Sequence, residues 1–198
     1  MRQTCLNMVY DLAKRDKRVL FIGSDLSPGL LGDMKKEMPE RWYMEGITEA
    51  NVIGMALAAR IEKRDTRVIV VMGDGEINEG SVWEAALCAG KHKLNNLTAV
   101  IDYNKIQSAG PTREIQDLEP LLDKWRAFNF AAVDVDGHDV EALRKVFERL
   151  PLATDRPSAI ICHTVKGKGI AFAENDANWH HKSKIANDVV AKLYAALE

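Results

Sequence analysis

The chain has 198 residues, a length that accommodates one domain with its own hydrophobic core. Hydrophobic residues make up 46% of it and charged residues 28%, which excludes disordered, fibrous and collagen-like proteins. The 27 basic and 29 acidic residues give a formal charge of −2, so there is no broad cationic surface to neutralise phosphate backbones, and no nucleic acid partner is expected.

The cysteines and the amino terminus bear on the cellular compartment. Cys5, Cys88 and Cys162 are an odd number of widely spaced residues, each among apolar neighbours, which predicts buried thiols in a reducing compartment instead of a disulfide framework. The first residues contain no apolar run of signal-peptide length, and the apolar stretches elsewhere are only strand-sized. We therefore expect a cytoplasmic protein with no membrane partner.

Helices and strands are predicted to alternate along the chain. Apolar residues at helical spacing predict helices over 3–15, 30–38, 49–64, 79–93, 117–127, 140–150 and 184–197. Short apolar runs predict strands over 18–23, 42–44, 67–72, 97–102, 130–135 and 158–163. Because strands alternate with helices, the sequence predicts an α/β fold: a doubly wound, mostly parallel sheet with helices on both faces, in a single domain over 1–198.

The loop after the third predicted strand carries a candidate phosphate and cation site. Ligands of such sheets bind beyond the carboxyl ends of the strands. Gly73 and Gly75 flank Asp74 there. The glycines allow a tight turn that exposes backbone amides to a phosphate, while the carboxylate remains to hold a cation. An isolated Gly-Asp-Gly is more typical of a plain β-turn, so a second feature is needed.

The loop after the next strand supplies that feature. Asn104 lies thirty positions after Asp74, and each residue follows a buried strand, with one predicted helix between them. If the two strands are adjacent and parallel, both side-chain oxygens come to one point. Together with a backbone carbonyl, diphosphate oxygens and water, they would make an octahedral oxygen site suited to Mg²⁺.

Residues 73–110, with the Gly-Asp-Gly, the spaced Asn and the helix between them, closely resemble the diphosphate-binding domain of transketolase, especially of its split-gene bacterial relatives. The resemblance continues through 134–143 and 163–182. It implies thiamine diphosphate as the cofactor, with Mg²⁺ (or Ca²⁺). The metal ligands it implies are Asp74, Asn104 and the Ile106 carbonyl, and the cofactor contacts are Gly73, Gly75, Glu79, Asn104 and Ile106.

Residues 1–54 resemble a different part of the same family, the start of its pyrimidine-binding domain. The GIxExN motif of that domain carries a glutamate that contacts the aminopyrimidine ring of the cofactor, and by this motif it would be Glu49. In the family this domain follows the diphosphate-binding domain, whereas here the order is reversed. The sequence therefore predicts a chimera with a junction near 54–60, of engineered, ancestor-like or natural origin.

Two residues keep alternative interpretations. Glu79 begins a helix, where the helix dipole alone favours a carboxylate, but the resemblance makes it an acidic partner that couples cofactor sites. His180 follows Trp179 in a carboxyl-terminal loop and is either a solvated histidine or, by resemblance, one that reaches the diphosphate or the substrate. His181 stands where the family has glycine. Glu49 and His180 are the predicted catalytic residues.

Three functions remain open. The first is an active transketolase-type enzyme that transfers a two-carbon ketol unit between sugar phosphates as a homodimer. The second is a domain that binds thiamine diphosphate and Mg²⁺, forms a homodimer and turns over little, because several catalytic segments of the family have no counterpart in this sequence. The third is a subunit that needs a partner chain. The second is preferred.

Overall fold

The computed structural model describes residues 2–23, 31–44, 51–180 and 184–196. Its helices are α1 (Arg2–Arg15), α2 (Gly32–Glu37), α3 (Asn51–Ile61), α4 (Gly80–Lys91), α5 (Thr112–Ile115), α6 (Leu121–Ala127), α7 (Val140–Glu148) and α8 (Asn187–Ala195). Its strands are β1 (Val19–Gly23), β2 (Trp42–Met44), β3 (Arg67–Gly73), β4 (Leu97–Tyr103), β5 (Ile106–Gln107), β6 (Gly110–Pro111), β7 (Ala131–Asp136) and β8 (Ser158–His163). Short 3-10 helices cover Pro39–Arg41, Glu76–Asn78 and Ala177–Trp179.

Six strands form one parallel sheet in the order β2-β1-β3-β4-β8-β7. This confirms the predicted doubly wound α/β fold. β3 and β4 are neighbours, and their register places Gly73 opposite Asp102, so both strands end at the same edge of the sheet. β5 and β6 form a separate antiparallel hairpin just beyond that edge. The fold therefore places the two candidate loops beside each other.

Both faces of the sheet are covered by apolar side chains. Successive residues of β4 point to opposite faces. Ala99 and Ile101 pack in one core with residues of α3, α4 and α6, including the buried Trp125. Val100 packs in the other core with residues of α1 and α7, including Leu143. This burial on both sides explains why the strands are continuous apolar runs instead of alternating patterns.

Gly90 marks the closest approach of α4 to the chain that follows α6. A Cβ added at Gly90 would lie 2.0 Å from the carbonyl oxygen of Phe128. We expect Gly90→Ala to lower the free energy of unfolding by roughly 2 kcal/mol, because the backbone must move apart to admit the methyl group. Urea unfolding measures this change. Gly80→Ala, where nothing lies within 4 Å of the added Cβ, is the matched control in the same helix. Equal unfolding midpoints for the two variants would contradict the close approach.

Among the helices whose bounds differ from the sequence prediction, two have boundaries that proline explains. The helix predicted over 117–127 starts only at Leu121, directly after Pro120, and a separate short helix covers Thr112–Ile115. The helix predicted over 30–38 covers Gly32–Glu37 and is followed by a 3-10 turn that begins at Pro39. Proline lacks a backbone donor and fits only the first turn of a helix, so each of these prolines sets a boundary.

The thiols also differ partly from expectation. Cys162 is a buried thiol, as predicted, while Cys88 is only half-buried, and neither of these two described cysteines is in a disulfide. The side chain of Cys5 lies outside the described residues. In the described part of the chain, no helix is both long enough and apolar enough to cross a membrane.

Candidate functional site

The carboxylate of Asp74 joins the two loops that the sequence analysis singled out. Asp74 follows β3 directly and is only 2% exposed. Its Oδ2 accepts a hydrogen bond from the backbone amide of Lys105 at 2.5 Å, and its own amide donates to the Asp102 carbonyl at 3.3 Å. Lys105 is the residue after Asn104, so the end of β3 is tied to the loop that carries Asn104.

That loop is folded tightly by its own hydrogen bonds. The Asn104 Oδ1 accepts from the Ile106 amide at 3.1 Å. Lys105 has a left-handed backbone with φ 67°, and its carbonyl accepts from the Thr112 amide at 2.9 Å. Ile106 then pairs with Pro111 in the β5-β6 hairpin. The amide oxygen of Asn104 and the backbone of residues 104–106 are thus held close to Asp74.

The surroundings of Asp74 disfavour the charged form of its carboxyl group. The pKa of Asp74 is raised to about 6, mainly by burial and in smaller part by the nearby Asp102. The amides of Lys105 and Gly75 and the ammonium of Lys166 act in the opposite direction without cancelling the effect of burial. A cation beside Asp74 would stabilise the charged form, and carboxylate, amide and carbonyl oxygens are the donors that Mg²⁺ and Ca²⁺ prefer. The residues therefore fit the implied ion.

This burial predicts a pH dependence of the metal-free protein. The pKa of Asp74 is about 6 when folded, against an ordinary value of 3.8, so between about pH 4 and 6 the folded state binds more protons than the unfolded state. The free energy of unfolding should then fall as pH rises through this window, by up to about 3 kcal/mol. Asp74→Asn removes the ionisation and should be more stable than the wild type above pH 6.

Urea unfolding in EDTA at a series of pH values measures both proteins. Asp123→Asn, an exposed carboxylate change on α6, should follow the wild-type profile. If the free energies of unfolding of Asp74→Asn and the wild type change in parallel between about pH 4 and 6, the pKa of Asp74 is not raised by burial in the folded state.

Gly75 forms a cradle that a side chain would fill. A Cβ at this position would lie 2.9 Å from the Cβ of Gln107, so only glycine lets the hairpin approach the turn this closely. The amide of Gly73, in contrast, donates to Glu76 Oε2 at 3.0 Å and closes the turn from within. The phosphate contacts predicted for both glycines stay predictions.

Two amide side chains at this site did not figure in the sequence analysis. The Asn78 Nδ2 donates to Gln107 Oε1 at 3.5 Å. The Oδ1 of Asn78 and the Nε2 of Gln107 are covered and have no hydrogen-bond partner in the described part of the chain. Buried polar atoms are normally paired, so this pair beside Gly75 fits a site that takes a polar ligand. Their positions shortly after Asp74 and Asn104 are the one signal that could have found them.

A turn after β8 forms a further wall. Thr164 Oγ1 donates to the buried Asp102 Oδ1 at 2.6 Å, which ties this segment to the end of β4. Residues 166–169 then make a turn in which Gly167 has φ +74°, and a Cβ there would lie 2.4 Å from the Ala173 carbonyl oxygen. The turn brings Lys166 close enough to lower the pKa of Asp74.

Three further predicted residues are Glu79, His180 and Glu49. Glu79 is exposed immediately before α4, and it accepts from Ser81 Oγ at 3.4 Å without capping the first amides of the helix. His180 is half-buried after the 3-10 helix Ala177–Trp179, where Trp179 packs on Phe172. Glu49 lies outside the described residues.

The chain is similar to known thiamine diphosphate enzymes. Residues 45–197 match the family model described as "Transketolase, thiamine diphosphate binding domain". An apulose-4-phosphate transketolase subunit of Phocaeicola vulgatus is 41% identical over 129 residues, which are 65% of this chain and 46% of that protein. The 6-deoxy-6-sulfo-D-fructose transketolase subunit SqwG of a Clostridium species is 37% identical over 177 residues, 89% of this chain and 59% of that protein.

The chain is also similar to a solved transketolase structure. The transketolase of Campylobacter jejuni superimposes with a TM-score of 0.62 at 29% identity, covering 67% of this chain and 22% of that one. The chain spans about half the length of the two subunits it resembles. The family match begins at residue 45, ahead of the junction predicted near 54–60, and it includes Glu49; the chimeric origin stays a prediction. Because the match covers most of its length, the chain belongs to the transketolase thiamine diphosphate-binding domain family.

Proposed function

We propose that the chain binds thiamine diphosphate together with Mg²⁺ (or Ca²⁺) at the edge of the sheet formed by β3 and β4. The observation that carries this proposal is the buried carboxylate of Asp74, hydrogen-bonded to the loop that holds Asn104. Asp74, Asn104 and the Ile106 carbonyl would hold the ion. The cation is needed because a carboxylate and a diphosphate would otherwise repel each other.

The neighbouring groups would orient the cofactor. Gly73 and Gly75 would face the diphosphate, with the Gly75 cradle allowing the close approach of the hairpin. Glu79 at the start of α4 would act as an acidic partner between sites, and His180 would reach the diphosphate or the substrate. When bound, thiamine diphosphate supplies the carbanion chemistry of ketol transfer, while the protein holds it and excludes water.

A thermal-shift series tests cofactor binding. The melting temperature is measured with Mg²⁺ alone, with thiamine diphosphate alone, with both and with neither. A ligand that binds only the folded state raises its stability by mass action. We expect the largest rise when both are present, and a much smaller rise with either alone. Equal melting temperatures in all four samples would reject the proposed site.

For assembly we propose a homodimer that binds the cofactor between its subunits, with sugar phosphates as the substrates of the complete enzyme. A twofold interface is self-complementary, so one kind of chain can contribute to both sides of each site. The alternative is that the chain belongs to a split enzyme. It is favoured by the names of the two relatives, each of which is called a transketolase subunit.

We expect the 198-residue chain alone to show at most weak ketol transfer. Positioned acid-base groups typically contribute about 10²–10⁴-fold each, and the resemblance identifies family histidines without a counterpart in this sequence. A transketolase assay with a xylulose phosphate donor, with and without candidate partner chains, measures this. A rate near that of an intact transketolase without a partner would show the prediction to be wrong. A large rate increase with a partner would identify the chain as one half of a split enzyme.

A further inference from the structure

A cavity lies at the opposite edge of the sheet from Asp74. It has a volume of about 320 Å³, and its wall includes four arginines, Arg18, Arg60, Arg64 and Arg67, together with one carboxylate, Asp65, which pairs with Arg18. Arg67 is the first residue of β3, whereas Asp74 follows the last. At about 3.3 Å per residue, the two ends of this strand are roughly 20 Å apart. The cavity is therefore separate from the proposed cofactor site.

Arg18 is already neutralised by two carboxylates. Its Nη2 lies 2.6 Å from Asp16 Oδ2, and its Nη1 lies 2.9 Å from Asp65 Oδ2. Its Nε also donates to Asp16, at 2.8 Å. Asp16 and Asp65 together carry one negative charge more than Arg18 balances, and both also act on Arg67.

The two arginines from the α3 side keep donors for a ligand. Arg64 is 70% exposed, and its Nε lies 2.6 Å from Glu62 Oε2; an ion pair between two exposed side chains is weak and leaves the guanidinium accessible to a ligand. Arg60 directs Nη1 to the carbonyls of His92 and Lys93 at the end of α4, an arrangement that holds its side chain over the cavity without neutralising its charge.

Arg67 places a largely covered positive charge in the wall of the cavity. Its side chain is 15% exposed, and its Nη1 lies 3.8 Å from Asp16 Oδ2, beyond hydrogen-bond distance from a carboxylate already bound to Arg18. Its Nη2 is covered and has no hydrogen-bond partner among the described residues. Burial lowers the pKa of Arg67, yet a guanidinium stays protonated in proteins. The positive charge of Arg67 thus persists beside two carboxylates, Asp16 and Asp65, and the like-charged Arg18.

We propose that this cavity binds the phosphate group of a small phosphorylated molecule. Arginine is the side chain best suited to phosphate, because its planar fork donates two parallel hydrogen bonds to two oxygens. Arg60 and Arg64 would contact the phosphate from the α3 side, above the buried charge of Arg67. The volume lies at the lower end of the range for small-molecule sites, about 300–1,000 Å³, and has room for an organic part beside the phosphate.

Nitrogen-15 NMR titrations with inorganic phosphate and with glycerol 3-phosphate, at constant ionic strength set with sodium chloride, test this site. We expect saturable shifts of the amides of residues 60–67 and 94–96 with both probes, and tighter binding of glycerol 3-phosphate. No saturable shift in these segments would overturn the proposal. Equal or weaker binding of glycerol 3-phosphate would overturn the assignment to a phosphorylated molecule in favour of the free ion.

Variants identify the arginines responsible. Arg64→Gln, an exposed change, should weaken both probes about tenfold, which corresponds to about 1.4 kcal/mol and one charge-assisted hydrogen bond. Arg67→Lys keeps the charge but removes the fork and should also weaken binding. Arg144→Gln is the matched control, since Arg144 is an exposed arginine paired with Glu141 on α7. If Arg64→Gln and Arg67→Lys bind both probes as tightly as the control does, the proposed phosphate site is wrong.

Discussion

Asp74→Ala is expected to abolish metal-dependent binding of thiamine diphosphate, with a loss of affinity of roughly 10³-fold. The substitution removes the single carboxylate proposed to hold the cation, and losing one partner of a buried charged contact typically costs about 3–5 kcal/mol. Without the cation, the diphosphate would approach the buried carboxylate of Asp102 unshielded. Calorimetric titration with the cofactor, in Mg²⁺ and in EDTA, measures the loss directly.

Two further variants separate ligand loss from misfolding. Asn104→Ala should weaken binding in the same metal-dependent way, because it removes the second proposed side-chain oxygen. Asp123→Asn changes an exposed carboxylate on α6 that pairs with Arg126 and should bind as the wild type does. Circular dichroism of each metal-free variant reports whether it is folded. Unchanged metal-dependent affinity in folded Asp74→Ala would remove Asp74 from the ion's ligands.

The order of helices and strands along the chain was predictable, because strands buried on both faces of a sheet appear in the sequence as short apolar runs. The apolar runs that begin at Arg67 and Leu97 are long enough for a strand and too short for a helix, and each is followed by turn residues. Once these strands are neighbours in a parallel sheet, the loops that carry Asp74 and Asn104 must meet at one edge. Local sequence therefore determined both the architecture and the place of the candidate site.

What the sequence did not predict depends on contacts between distant residues. The amide pair of Asn78 and Gln107 arises because the β5-β6 hairpin folds back onto the turn at Gly75. The arginine cavity combines the residue before β1, the start of β3 and the end of α3. The arginines have no periodic pattern or fixed spacing along the chain, and the amide pair has only its position shortly after Asp74 and Asn104 as a signal, so the folded structure is needed to bring the groups together.

The assembly determines whether Glu49 has a catalytic role. The resemblance implies that the cofactor lies between a diphosphate-binding and a pyrimidine-binding domain related by a pseudo-twofold axis. By the same resemblance, Asp74 and Glu49 would be the signature residues of these two domains. We therefore expect a homodimer in which Glu49 of one protomer faces the diphosphate site of the other, giving two equivalent sites. Light scattering gives the mass directly, and a monomer that persists with saturating cofactor and Mg²⁺ would refute the shared site.

Glu49→Gln is expected to leave metal-dependent cofactor binding largely intact while slowing exchange of the reactive C2 proton of thiamine diphosphate by at least about 10²-fold. Binding depends on the diphosphate and the cation, which Glu49 does not touch in this proposal, whereas the resemblance implies that its carboxyl group promotes the imino tautomer of the aminopyrimidine ring. The competing interpretation is that Glu49 only favours the start of α3 through the helix dipole.

Proton exchange measured by NMR in deuterated buffer separates the two, because a capping role would change stability and leave the exchange rate unaltered. Glu40→Gln, an exposed glutamate in the 3-10 turn before β2, is the matched control and should exchange at the wild-type rate. An exchange rate in Glu49→Gln equal to that of this control would assign Glu49 to the helix start alone, and the cofactor would then be held only by its diphosphate and the metal.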